Sequence, residues 1–229
     1  MSSSLDLYAR IEPLLGIEEA TGELHHYYLD LLEQSKPQRL LDVGCGDGHF
    51  LEAVKSQGIT CAGIDLSQAM VDKAKSKGLS VACQDIKEAI GAYDVVTAIF
   101  DVLNFLDKEA LKSFLSDVSR LLNLQGYFYA DINTFYGFSE VAEGVLAYDD
   151  QQQSLIVDAS FSENILTTKM SFFEKEGELF RKSHDEIKQY FYDIKEIAEM
   201  TDLELQIEMP ITLYGDEADK AILSFQKVV

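Results

Sequence analysis

Apolar residues along this chain recur at two different spacings. Leu5, Leu7, Tyr8, Ile11, Leu14 and Leu15 fall at helical intervals before Gly16, and Leu24, Tyr27, Tyr28, Leu31 and Leu32 do so before Pro37. Residues 5–35 are therefore predicted to form a helical lead. Short apolar runs bounded by turn residues come next, at 39–43, 60–65, 79–84, 93–100 and 126–133. Each reads as a buried strand. Helices are expected after the first, second and fourth of these, beginning near Gly48, Ser67 and Asp107, and the last carries the stripe Leu111, Phe114, Leu115, Val118, Leu121 and Leu122.

The pattern changes after residue 133. Residues 145–192 alternate between apolar and polar positions and are broken by short polar turns, which predicts antiparallel strands. Strands at 154–161 and 165–173 flank the hairpin turn Ser162-Glu163-Asn164, and a further turn at residues 174–177 leads to a strand from 178 to about 192. That strand puts Phe180, Lys182, His184 and Glu186 on one face. Asp193 is the expected N-cap of a short helix reaching Met200. Residues 203–211 and 221–228 supply two last strands, expected as an antiparallel pair at the sheet's edge.

The chemistry sits where the first strand ends. Leu40, Leu41 and Val43 run into Gly44, Cys45, Gly46, Asp47 and Gly48, a turn whose glycines permit close backbone approach to a ligand. A dinucleotide fingerprint, G-x-G-x-x-G, would place its third glycine one residue later. With Asp42 ahead of the turn the pattern is D-x-G-x-G-x-G, which resembles the first motif of the class I S-adenosylmethionine-dependent methyltransferases. The sequel agrees in order and distance. Asp65 ends the second strand about twenty residues after the glycines, where a carboxylate can accept ribose hydroxyls. Leu66 and Met70 follow with apolar surface for an adenine face, and Ser67 is a plausible N-cap.

The resemblance implies further roles. Asp85 would meet the adenine amino group with Ile86 as an apolar neighbour, and the segment from Phe100 through Asp101 to Leu106 would close the methionine side of the pocket. It implies a doubly wound, seven-stranded, mostly parallel Rossmann-like sheet, here with an inserted antiparallel β-sheet and an N-terminal helical lid. The corresponding division is residues 1–36 for the lid, 37–134 and 193–229 for the methyltransferase core, and 135–192 for the insertion. Such an insertion is similar to the substrate-side sheet of glycine N-methyltransferase and of the sugar-amine N-methyltransferases. The cofactor implied is S-adenosyl-L-methionine, with residues 42, 44, 45, 46, 48, 65, 66, 70, 85, 86 and 100 around it.

Composition narrows the acceptor. A 229-residue chain that is 47% hydrophobic can bury one sizeable core. Forty acidic residues against 19 basic ones give a formal charge of −21, a field that repels phosphate backbones, and no basic stripe interleaved with aromatics is visible. The expected partner is a small-molecule acceptor, with neither nucleic acid nor membrane, and the inserted strands are a candidate homodimer surface. The N-terminal segment has no signal-peptide pattern, which makes the cytoplasm the expected location. Cys45, Cys61 and Cys83 lack C-x-x-C spacing and read as buried thiols, and His49 reads as a helix-start residue with no metal implied.

Methyl transfer from a sulfonium needs alignment more than acid–base machinery. Asp101 and Asn104, just beyond the fourth strand, are the residues placed nearest the methyl, with helix capping as their alternative role. Asp131 and Asn133, at the end of the fifth strand, are second candidates because ligands bind beyond the carboxyl ends of parallel strands. Tyr8 from the lead, with His25, His26, Tyr27 and Tyr28, is a candidate lid or substrate residue, and His184 a candidate base reaching down from the insertion. The leading function is methyl transfer to a small molecule, leaning towards an amine nitrogen on the resemblance of the insertion alone. The alternatives are a non-catalytic cofactor-binding scaffold and, least favoured, a nicotinamide-dependent dehydrogenase.

Overall fold

A computed structural model describes residues 2–229 of the chain. The helical lead resolves into α1 (Ser2–Ile11), a 3-10 turn (Glu12–Leu14) and α2 (Glu18–Ser35). The core follows as β1 (Arg39–Val43), α3 (His49–Ser56), β2 (Thr60–Asp65), α4 (Gln68–Ser76), β3 (Val81–Cys83), β4 (Tyr93–Ala98), α5 (Lys108–Leu121) and β5 (Leu122–Asn133). A helical turn (Gly137–Ala142) leads to β6 (Gly144–Asp149), β7 (Gln153–Ser162), β8 (Ile165–Glu176) and β9 (Leu179–Tyr190). The chain then returns through α6 (Ile194–Glu199) to β10 (Glu204–Ile211) and β11 (Lys220–Gln226).

The main sheet has seven strands in the order β10-β11-β5-β4-β1-β2-β3. Pairing is parallel from β5 to β3 and antiparallel where β11 meets β5 and β10. The antiparallel pair lies at the sheet's edge as expected, with β10 outermost and β11 between it and β5. Their burial gives the reason. The β11 residues from Lys220 to Phe225 are all buried, a doubly covered strand, while β10 alternates between exposed and half-buried.

Helices cover both faces. Leu111, Leu115 and Val118 of α5 pack with Val96, Phe128 and Phe225. On the other face Leu24, Tyr28 and Leu32 of α2 join Phe50 and Leu51 of α3, Val95, Tyr129 and Ile222. Adjacent residues such as Val95 and Val96 thus point to opposite faces and are both fully buried, as a doubly wound sheet requires.

The four inserted strands form a second, wholly antiparallel sheet, β6-β7-β8-β9. The hairpin between β7 and β8 is tighter than the sequence suggested. Ser162 pairs with Ile165, so only Glu163 and Asn164 turn, both with positive φ (53° and 62°) as a type I′ hairpin demands. One face of this sheet packs on α1, with Leu7 and Ile11 buried among Leu155, Met170, Phe172 and Ile187. Helix α1 is thereby held between the inserted sheet and the main sheet's carboxyl edge. Arg10 fixes it there, bonding Glu174 and lying 5.4 Å from the centre of the Phe172 ring. No helix among the described residues is long and apolar enough to cross a membrane.

Candidate active site

The turn after β1 is built by its glycines in two different ways. All three have positive φ, but a Cβ at Gly44 would lie 2.9 Å from Val102 Cγ2, and one at Gly48 would strike Leu79 Cδ1. Those two glycines let the turn pack down onto its own protein. Gly46, with φ +52°, has nothing within 4 Å of its missing Cβ, so its open side is the one a ligand can approach. The Gly44 and Cys45 amides are tied to the Ile64 carbonyl of β2 at 2.8 and 3.1 Å.

Asp65, at the end of β2, is knit into the same turn. Its carboxylate accepts the Gly46 amide at 2.9 Å and the Ser67 amide at 2.8 Å. Burial pushes its pKa up, against the pull of those bonds. Ser67 caps α4, and its hydroxyl also donates to Asp6 of α1 at 2.7 Å, so the lead reaches over the carboxyl end of β2. Leu66 is 47% exposed beside it while Met70 and Ile86 are buried. A cleft of about 450 Å³ opens where Glu12, Thr21 and His25 of the lead face Asp47, His49 and Met70. His25 stacks at 5.3 Å on Phe50, and burial lowers its pKa to about 4, so it is a neutral ring there.

Asp42 lies beneath the turn. It is 3% exposed and accepts a bond from Thr97 Oγ1 at 2.7 Å. Burial raises its pKa to about 7, with the charge of Asp65 pushing the same way. A positive group placed above this turn would meet two carboxylates that form no ion pair with a cation among the described residues.

Beyond β4 the chain makes an unusual bend: Phe100 and Asp101, neither a glycine, have φ of 70° and 65°. Asp131 at the end of β5 holds it. One Asp131 oxygen accepts the Phe100 amide at 2.7 Å and the Tyr28 hydroxyl at 2.8 Å. The other accepts the Asp101 amide at 3.1 Å and Lys220 Nζ at 2.9 Å. Lys220, at the start of β11, also pairs with Asp101 and lies 5.1 Å from the centre of the Phe100 ring. Burial alone would raise Asp131, but Lys220 and these donors bring its pKa below the ordinary value. Burial likewise opposes the charge on Lys220, and the two carboxylates more than restore it. Tyr8, edge-on to Phe105 at 6.3 Å, feels the negative charge of Asp101, as does Tyr214 in the loop before β11.

Several expected residues sit elsewhere. Asn104 is fully buried with its amide bonded to main chain: Nδ2 donates to the Tyr190 carbonyl at 2.8 Å and Oδ1 accepts the Asn133 amide at 3.0 Å. It ties β5 to β9, with one amide hydrogen and one oxygen lone pair beyond these two bonds. His184 is exposed on the sheet face opposite α1, because Ser183, Asp185 and Ile187 take the face that α1 covers. It cannot act as a base reaching into the site. Asp85 is half-buried just beyond β3, where its side chain accepts the Lys87 amide at 3.1 Å. Only Cys45 of the three thiols is buried; Cys61 is half-buried and Cys83 exposed, because β3 is a three-residue edge strand. Lys220, Tyr28 and Tyr214 were not singled out as site residues or, for Tyr28, not ahead of its neighbours. Among the described residues no cluster of His, Cys, Asp and Glu is arranged to hold a metal ion.

The sheet order, the glycine turn and the acidic strand ends coincide with a family model. Residues 40–126 match the methyltransferase domain. The fold is that of the class I S-adenosylmethionine-dependent methyltransferases. A putative methyltransferase of Bacillus subtilis (strain 168), YqeM, is 29% identical over 184 residues, 74% of either chain. Among solved structures, an S-adenosylmethionine-dependent methyltransferase from Clostridium acetobutylicum ATCC 824 superposes with a TM-score of 0.80 at 21% identity, covering 97% of this chain and 98% of that one. CalS10 of Micromonospora echinaspora, an amino pentose methyltransferase, superposes with a TM-score of 0.74 at 16% identity over 96% of each. The CalS10 structure holds S-adenosylmethionine. The site fits it: the Gly46 cradle would be filled by a Cβ, and the uncompensated carboxylates of Asp42 and Asp65 suit a group carrying a sulfonium and an ammonium.

Proposed function

We propose that this methyltransferase moves a methyl group to an amine nitrogen of a small molecule, neutral or cationic. The observation that carries the reading is the acidic, tyrosine-lined end of the site beneath α1. The charge of Asp101 reaches both Tyr8 and Tyr214 there; Tyr8, on α1, packs against the inserted sheet, and Tyr214 stays 42% exposed. A site roofed in part by α1 suits a small acceptor better than a polymer. The formal charge of −21 adds to this, since it opposes the approach of a phosphate chain. CalS10, an amino pentose methyltransferase of similar fold, lends the nitrogen its support.

Gly46 and Asp65 would hold the adenosyl part of the cofactor, with Asp42 facing its positive charge through the turn. Leu66, Met70 and Ile86 would supply apolar surface, and Phe100 would lie towards the methionine end. S-Adenosylmethionine supplies, when bound, an electrophilic methyl that leaves sulfur as a neutral thioether when the acceptor's nitrogen lone pair bonds to carbon. Asp101 accepts the proton that the methylated nitrogen then gives up and passes it to solvent. An amine needs no stronger base, because its neutral form is already nucleophilic.

The test is to incubate the protein with methyl-labelled cofactor and, separately, cell metabolites, protein and nucleic acid. Label is expected in the metabolite fraction, on species retained by a cation exchanger. Label in the nucleic-acid fraction that disappears with Asp65→Ala overturns the small-molecule reading.

A further inference from the structure

Three buried charges meet at the carboxyl edge of the main sheet, and they are not equivalent. The side chains of Lys220 and Asp131 are 1% and 0% exposed, whereas that of Asp101 retains 12%. Asp131 has both oxygens occupied, each by two donors, and all four donors are groups of the protein. It is an anchor for the bend at Phe100 and Asp101 with no room for a further partner. Asp101 instead retains that small exposure, and its charge reaches Tyr8 and Tyr214.

We propose that Lys220 is a positioning residue that keeps Asp101 as the ionised carboxylate at the acceptor end of the site. Without an adjacent cation, two acids buried this close would share one proton, since each disfavours ionisation of the other. Asp131 has four donors and Asp101 fewer, so the shared proton would settle on Asp101. Lys220 prevents this by pairing with both acids. Burial raises the pKa of Asp101, Lys220 opposes that, and Asp131 reinforces it. The groups facing Asp101 are Lys220 from β11, Asp131 and Asn133 from β5, Tyr8 from α1, Tyr28 from α2 and Tyr214 from the loop before β11. Lys220 is the one cation among them. The role assigned to the acceptor rests on the amine reading above; the ionisation of Asp101 does not.

The two are separable by experiment. In the full chain labelled with 13C at the aspartate carboxyls, the Asp101 signal is identified by its loss in Asp101→Asn and followed by NMR against pH. In Lys220→Gln the Asp101 midpoint should rise by about one pH unit or more, the size of shift expected from losing an opposite charge in contact. Lys220→Arg should leave it near the wild-type value. A midpoint unmoved in Lys220→Gln, or a proton taken up by Asp131 instead, overturns the proposal. Should Lys220→Gln fail to fold, Asp131→Asn answers the same question, because removing the like charge must lower the Asp101 midpoint; a midpoint that stays or rises is equally fatal. If no amine is methylated yet the midpoint moves as described, the amine reading falls and the role of Lys220 stands.

Discussion

Replacing Asp42 with asparagine should make the protein more stable as the pH rises, relative to the wild type. In the wild type, burial raises this carboxyl from 3.8 to about 7. A carboxyl whose pKa is higher in the folded than in the unfolded chain gives its full advantage below the unfolded value and loses it as pH rises through the folded one. Between those two values each pH unit costs the wild type about 1.4 kcal/mol. From pH 5 to pH 7 the cost grows by about 3 kcal/mol. Asparagine does not ionise, and its carbonyl can still accept the Thr97 hydroxyl, which lies 2.7 Å from the aspartate oxygen. Its amide needs a partner, which costs about 1–3 kcal/mol at every pH, so the slope is the measurement and not the absolute level. At about 2–4 °C per kcal/mol for a chain of this size, the melting temperature of Asp42→Asn minus that of wild type should increase by roughly 6–12 °C across that range. Scanning calorimetry of both proteins at pH 5, 6 and 7 measures it. A difference that stays flat refutes the claim that Asp42 is an ionisable acid in a dry, cation-free setting. Adding the cationic cofactor should flatten the wild-type slope, since a positive neighbour favours the carboxylate.

Three further outcomes follow from the same geometry. Asp65→Ala should weaken binding of S-adenosylhomocysteine by about 1.5–3 kcal/mol for each lost charged bond, read by calorimetric titration, and unchanged affinity would remove Asp65 from the site. Gly46→Val should abolish that binding by filling the open cradle while circular dichroism still reports the fold; normal binding by a well-folded variant would mean that the turn faces something else. Tyr28→Phe removes one of four donors to a buried carboxylate and should cost about 1.5 kcal/mol in urea unfolding, against no change if the hydroxyl bond were incidental.

The cofactor half of the fold was legible because its signals are local. Asp42, the three glycines and Asp65 each sit at a strand end that the apolar pattern marks, and short segments are enough to place them. Lys220 was not legible, because its meaning comes from Asp101 and Asp131, 119 and 89 residues away in the chain. Nothing in its own neighbourhood distinguishes a buried lysine from an exposed strand-end one. The face taken by His184 failed for a related reason. Period-2 alternation separates the two faces of β9, but only α1, from the other end of the chain, decides which face is covered. The edge strand β6 had no pattern to read: all six of its residues are exposed. Asn104 brackets two main-chain groups, and in sequence such an asparagine looks like one that greets a ligand.

The insertion of β11 between β5 and β10 bears on the order in which the protein acquires its parts. A nascent chain can pair β1 to β5 as these strands emerge, because each parallel neighbour needs only the connecting helix or loop. Lys220 enters after a detour of 86 residues beyond Asn133, its partner in register. Until then β5 presents an open edge and two acids share a buried site with no cation. Closing so long a loop is slow relative to local contacts. The charge that organises the acceptor end is thus the last of the three to arrive, and an assembly intermediate lacking it would hold the glycine turn complete and the bend at Phe100 and Asp101 without its cation.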